Sequence, residues 1–294
     1  MTDAASLRRE WIELLGAQPK PDASVRVGVA SVRHGVVRRD VEVHSFGLRL
    51  TLRFAAPGGA LPRPVVVLPF YDTHVLFGEA SALYPDPDAR PTRAFAQEFL
   101  AAGFGVLAVP WWAETLAAEA DPLELHARYG PIAAEHQRHH PEVTGLGRSV
   151  ADLRLAVDAL AQIDEVDSSR IGVFGHSLGG KLALFSAALD PRIAAAVTHE
   201  PGLGFAHSNW SDPWYFGERV PCDRDLDQVL GLVSPRPVLY AGGGASDGAH
   251  NAEIAHAASR TDSQLSTLHH THGHPLPDEV LAQMIAWLWQ QLDV

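Results

Sequence analysis

The chain has 294 residues, enough for one large α/β domain with a well-buried core. Its formal charge of −12, with no long basic run, argues against nucleic acid or an anionic membrane surface as a partner. Hydrophobic residues make up 46 % and charged residues 20 %, no apolar run approaches membrane-spanning length, and the single cysteine, Cys222, excludes an internal disulfide.

The N-terminal segment carries Arg8, Arg9 and Glu10 before a short apolar stretch. No long apolar region or small-residue cleavage site follows, so the expectation is a cytoplasmic protein without a secretory signal. Leu7 to Leu15 reads as a helix, with Trp11, Leu14 and Leu15 on one face. Val37 to His44 and Leu48 to Phe54 read as strands joined at Ser45-Phe46-Gly47, and the second alternates like a half-buried antiparallel strand. Pro64 to Pro69, Phe104 to Val109, Ile171 to Phe174, Ile193 to Val197 and Val238 to Ala241 are continuous apolar runs. Such runs mark strands buried on both faces, as in a parallel sheet, and Ser266 to Leu268 reads as the last strand. Helical spacing predicts helices over Arg93 to Ala102, over Ser149 to Gln162 and from about Pro277, the last with Leu281, Met284, Ile285 and Leu288 on one face. The alternation predicts an α/β chain: a single domain over 1–294, built on a mostly parallel twisted sheet of about eight strands with helices on both faces. Two stretches break the pattern, 111–147 and 201–233. They are expected as lid-like insertions over the carboxyl ends of the strands, where open α/β sheets bind ligands.

Chemistry is concentrated in Gly175-His176-Ser177-Leu178-Gly179, a G-x-S-x-G pentapeptide between an apolar strand and a helical run. In that setting the chain turns from strand to helix at one residue, and flanking glycines remove Cβ atoms that would collide. Ser177 is thereby lifted above the sheet as a candidate nucleophile, and the N–H of Leu178 becomes an oxyanion donor at a helix N-terminus. A second donor should come from the loop after the Pro64 to Pro69 strand, where the Tyr71 N–H is the candidate.

A serine nucleophile needs a base, and in this strand–turn–helix setting the base histidine comes last in the chain. His269, His270, His272 and His274 follow the last strand. His274, beside the hinge Gly273 and before the final helix, is the choice, with His272 second. Two carboxylates compete to orient it: Asp247, after the Val238 to Ala241 strand, and Glu200, just past the Ile193 to Val197 strand. Asp247 is preferred because the acid usually occupies that later position. The bland alternatives are a turn residue for Asp247 and a pocket-wall carboxylate for Glu200.

The segments IGVFGHSLGGKLALFSAALDPRI, HEPGLGF and SNWSDPWYFG resemble the α/β-hydrolase superfamily, in particular the bacterial acetylxylan-esterase-like and dienelactone-hydrolase-like proteins. A more distant similarity is to glucuronoyl esterases, which carry a Lys four residues after the serine, here Lys181, and an acid at the end of the next strand, here Glu200. They carry an Arg directly after the serine, where this chain has Leu178. The resemblance implies an α/β-hydrolase fold and a serine hydrolase cleaving a carboxylic ester, often a carbohydrate ester, without cofactor or metal. It implies Lys181 as a substrate-binding residue. Trp210 and Trp214 read either as an aromatic substrate wall or as core packing. A lactone or C–C bond hydrolase on the same residues and a non-catalytic scaffold are the other function classes. The partner expected is a small-molecule ester, with no nucleic acid and no membrane; a homo-oligomer is compatible. Among 16 histidines, His136, His139 and His140 could share a helical face, but no zinc-type spacing occurs and no metal site is expected.

Overall fold

Side chains alternate across a strand, so an unbroken apolar run must feed two cores. The computed structural model, which describes residues 3–59, 62–86, 93–118, 121, 123–244, 247–260 and 264–293, has this arrangement. Val65 and Val67 join one core while Val66 and Leu68 join the other; Leu107 and Val109 likewise oppose Val106 and Ala108.

Among the described residues the strands are β1 (Ser24–Val27), β2 (Ser31–Arg33), β3 (Val36–Ser45), β4 (Leu48–Pro57), β5 (Arg63–Phe70), β6 (Gly105–Pro110), β7 (Val166–His176), β8 (Ile193–His199), β9 (Val238–Gly242) and β10 (Leu265–His269). The α-helices are α1 (Ala4–Leu15), α2 (Phe95–Ala101), α3 (Trp112–Leu116), α4 (Leu125–His139), α5 (Gly145–Leu160), α6 (Leu178–Leu189), α7 (Leu226–Gly231), α8 (Ala252–Ser259) and α9 (Asp278–Gln291). The sheet order is β1-β3-β4-β6-β5-β7-β8-β9-β10, with β2 beside β3. From β6 to β10 neighbouring strands are parallel; β1 to β4 are antiparallel additions at one edge. One core lies under α1, α5, α6 and α7, the other under α2 and α9.

Among the described residues the sheet has ten strands rather than about eight. The two extra ones are short, polar and mostly exposed, so they carry no buried run that would signal them. The β3–β4 connection is a two-residue turn, because Ser45 already pairs with Leu48. Phe46 and Gly47 have φ of 49° and 72°, the positive pair that a twist-matched hairpin turn requires. Helix α5 begins at Gly145, four residues before the expected Ser149, capped by Thr144 Oγ1 accepting from Gly147 N at 2.8 Å. Apolar spacing misses that first turn because it is written in glycine. A Cβ at Gly145 would run into the Trp214 backbone, and one at Gly147 into the Leu15 carbonyl.

The two stretches expected as insertions pack on each other. Stretch 111–147 supplies α3 and α4, in which Glu114 pairs with Arg128 at 2.7 Å and accepts from Tyr129 Oη at 2.8 Å. The Tyr129 ring lies 5.8 Å from that of Trp214 in stretch 201–233, and Leu146 N donates to Tyr215 O at 3.0 Å. Tyr129 also stacks on Tyr71 at 6.2 Å, which brings stretch 111–147 against the end of β5. No helix among the described residues is long and apolar enough to cross a membrane.

Candidate active site

The strand-to-helix turn after β7 is as tight as its glycines suggest. Ser177 has φ 59° and ψ −118°, a strained backbone for a residue with a Cβ, and α6 starts at the next residue. A Cβ on Gly175 would overlap the Gly179 carbonyl, and one on Gly179 would overlap the Pro69 carbonyl. The second contact shows how closely the end of β5 approaches the turn. Tyr71 lies two residues beyond Pro69, and Leu178 contributes its N–H to the first turn of α6, where helical N–H groups have no intrahelical acceptor. Both expected oxyanion donors thus belong to segments that meet at Ser177.

His274 reaches the serine: its Nε2 is 3.0 Å from Ser177 Oγ. His272, the second choice, instead lies 3.3 Å from Glu279 through its Nε2. The carboxylate facing His274 is Glu200, whose Oε2 is 3.3 Å from His274 Nδ1. The Glu200 side chain is fully buried, whereas the His274 side chain is 37 % exposed and so open to a substrate from solvent. Glu200 Oε1 accepts from Gly243 N, and Glu200 N donates to Ala241 O at 2.9 Å, which ties the carboxylate to β9.

The expectation that Asp247 faces the histidine is corrected. Asp247 is buried with its carboxylate turned the other way, accepting from Gly202 N at 2.7 Å, Leu203 N at 2.6 Å, Tyr240 Oη at 2.7 Å and Asn251 Nδ2 at 2.8 Å. Those donors saturate it and hold the loop just after Glu200. Ala245 and Ser246, part of the loop expected to carry Asp247 toward the site, lie outside the described residues.

Lys181 differs from expectation, and burial decides between the two readings of the tryptophans. The Lys181 ammonium is buried, donates to Pro201 O at 2.8 Å and Ser208 Oγ at 2.9 Å, and sits 3.8 Å above the Trp210 ring. Burial pushes its pKa down to about 7, against the favourable charges of Asp247 and Asp212. Trp210 is 0 % exposed and Trp214 2 % exposed, so neither ring offers a face to substrate, and the substrate-wall reading gives way to core packing. Trp210 Nε1 donates to Gly202 O at 2.7 Å, and Phe185, Phe205 and Phe216 crowd its ring.

Sequence reasoning missed a row of histidines beneath the site. His176 Nδ1 is 2.8 Å from His199 Nδ1, and His199 Nε2 is 2.8 Å from His270 Nε2. The His176 ring lies 4.9 Å from that of His274. Burial drives the His199 pKa down to about 3 and that of His176 well below its ordinary value, so both rings are neutral near pH 7. The signal was present in the sequence as His176-Ser177 and His199-Glu200, each a histidine ending a strand just before a site residue. The histidines weighed for metal are packed differently: His136 is buried beside Arg148, at 3.3 Å, and burial pushes its pKa down to about 3. Among the described residues, the ligating atoms that converge are those of His199, Glu200 and His270, within 4.8 Å of one another.

A family model of fungal glucuronyl esterases matches residues 153–215, the span from the second half of α5 through β7, the serine turn, α6 and β8 to beyond Glu200. YtaP of Bacillus subtilis (strain 168), a hydrolase by provisional name, is 26 % identical over 168 residues, 54 % of this chain and 52 % of that protein. Carbohydrate esterase MZ0003, from an unknown prokaryotic organism, is 28 % identical over 109 residues, 30 % of this chain and 25 % of that one. The chain thus spans about half the length or less of these curated relatives in its matches. A glucuronoyl esterase structure from Solibacter usitatus superposes with a TM-score of 0.70 at 17 % identity, covering 99 % of this chain and 94 % of that one. With the strand order above, that likeness establishes the α/β-hydrolase fold.

Proposed function

We propose that this chain hydrolyses carboxylic esters through an acyl-enzyme on Ser177. The observation that carries the reading is the continuous contact Ser177 Oγ–His274 Nε2–His274 Nδ1–Glu200 Oε2, at 3.0 and 3.3 Å, on a strained turn open to solvent. Ser177 Oγ attacks the ester carbonyl while His274 Nε2 takes its proton. The buried Glu200 carboxylate holds the imidazole in the Nδ1–H tautomer and stabilises the imidazolium that forms. The N–H groups of Leu178 and Tyr71 donate to the developing oxyanion. As the carbonyl re-forms, the alkoxide leaves and takes the proton from His274, giving the alcohol and an acyl-serine. Water then repeats the sequence, with His274 as base, and releases the acid and free Ser177.

The substrate favoured is a small carbohydrate ester, by similarity to the glucuronyl esterase family model and the carbohydrate esterase relative. Leu178, standing where glucuronoyl esterases have an arginine, and the enclosed Lys181 both argue for a substrate other than a glucuronoyl ester. Ser177→Ala should abolish hydrolysis of p-nitrophenyl acetate and labelling by a fluorophosphonate probe. Undiminished turnover in that variant would sink the mechanism. A panel of acetylated sugars, glucuronoyl methyl esters and lactones then ranks the substrate classes.

A further inference from the structure

We propose that His199, Glu200 and His270 form an inhibitory site for a borderline divalent cation of the Zn2+ type. One nitrogen of each histidine and one oxygen of Glu200 all lie within 4.8 Å of one another. Ligands of a tetrahedral zinc at about 2.0–2.2 Å stand roughly 3.3 Å apart, so the three atoms need only small shifts to close on one ion. His199 Nε2 and His270 Nε2, now 2.8 Å apart across a shared ring proton, open slightly. The His270 proton moves to Nδ1, which gives up its long contact with His272 N at 3.4 Å, and both Nε2 lone pairs become available without change of net charge.

Three features make this a built site. The other ring nitrogen of His199 faces His176 Nδ1 at 2.8 Å, the kind of outer partner that fixes a ligating imidazole. His270 N donates to Gly242 O at 3.1 Å and His199 ends β8, so both ligands ride on the sheet. His270 is only partly buried, which leaves a way in from solvent. Two imidazoles and one carboxylate select zinc-like ions over Mg2+ and Ca2+, which take oxygen ligands.

The inhibitory consequence rests on the reading above, in which Glu200 orients His274. A dication bound to the Glu200 carboxylate withdraws the negative charge that stabilises the His274 imidazolium. The ion sits behind His274, away from the substrate side of Ser177. It therefore lowers kcat and leaves KM unchanged.

Metal-free protein titrated with Zn2+ against a chromophoric chelator tests binding independently of activity. Wild type should bind Zn2+ at this site, and His270→Gln and His270→Ala should each weaken it at least about tenfold, since changing even an outer partner costs that much. His272→Ala should leave the affinity unchanged. In parallel, Zn2+ should lower kcat of the wild type, EDTA should restore it, Mg2+ should have no effect, and His270→Gln should keep its metal-free kcat while resisting Zn2+. Equal Zn2+ affinity in wild type and both His270 variants overturns the site. Zn2+ bound at the site with kcat untouched overturns the inhibition. If the chain proves to hydrolyse no ester, the chelator titration still decides whether the site exists.

Discussion

Glu200→Gln separates the two carboxylates that the sequence leaves in competition. Glutamine keeps the volume and one acceptor oxygen, but its amide nitrogen must face a donor, either Gly243 N–H or His274 Nδ1–H. The imidazole then loses both its tautomer preference and the charge that stabilises its protonated form. The equivalent change in a serine protease triad costs about 10⁴ in kcat. The contact here is longer, at 3.3 Å, so the expectation is a fall of about 10³ to 10⁴, or about 4–5 kcal/mol of barrier. KM should hold, because Glu200 lies behind His274. Steady-state hydrolysis of p-nitrophenyl acetate measures both constants, and circular dichroism confirms folding. Asp247→Asn should behave in the opposite way. Its four donors lose a buried anion, which costs about 3 kcal/mol of stability, while kcat per folded molecule stays within about tenfold of wild type. A loss of about 10³ in folded Asp247→Asn, with Glu200→Gln near wild type, would refute the assignment.

Burial lowers the Lys181 pKa to about 7, so above that pH the unfolded chain binds a proton that the folded chain does not, up to the ordinary lysine value of 10.5. Stability should therefore rise with pH across this window by about 1.4 kcal/mol per unit from this group, and Lys181→Met should remove that slope. A melting-temperature difference between the two proteins that stays constant over the window would contradict it. Gly179→Ala forces a Cβ into the Pro69 carbonyl and should push the β5 end away from Ser177, lowering both melting temperature and kcat; wild-type values in both would show that the turn tolerates a side chain. Trp210→Ala should cost about 3–5 kcal/mol of stability by opening a core cavity, read by urea denaturation, whereas a raised KM at unchanged stability would restore it as a substrate wall.

The parallel half of the fold is legible because each of its strands must bury both faces, and Val65 to Leu68 or Val106 to Val109 cannot be satisfied any other way. The meeting of Ser177 and His274 is legible for a related reason: the turn demands glycines, and the histidine loop follows the last strand. What escaped was set by three-dimensional coincidence. Trp210 and Trp214 have the composition of a binding wall, but only packing decides whether an aromatic ring faces substrate or core. Asp247 occupies the usual acid position, and nothing local reveals that Gly202 N, Leu203 N, Tyr240 and Asn251 converge on it from other segments. The neutral histidine row depends on the register of three strands, which apolar periodicity does not encode.

That register also explains why Glu200 stands beside the serine turn. His176 on β7 pairs directly with His199 on β8, so Ser177 and Glu200 are the first residues beyond two neighbouring strands. Both leave the ladder with positive φ, 59° and 50°, although neither is glycine. Such backbones cost about 1–3 kcal/mol each and persist only where the surroundings enforce them. Ser177 is held by its N–H to His199 O at 2.9 Å, and Glu200 by its N–H to Ala241 O at 2.9 Å. Asp247 adds the next restraint, gripping Gly202 and Leu203 two and three residues beyond Glu200. The two carboxylates thus act in series: Glu200 meets the histidine, and Asp247 fixes the backbone that aims Glu200. Any effect of Asp247→Asn on kcat must then pass through Glu200. In a Glu200→Gln background the second substitution should still lower the melting temperature but add nothing to the kcat loss. Multiplying losses in the double variant would mean that Asp247 reaches the chemistry by a separate route.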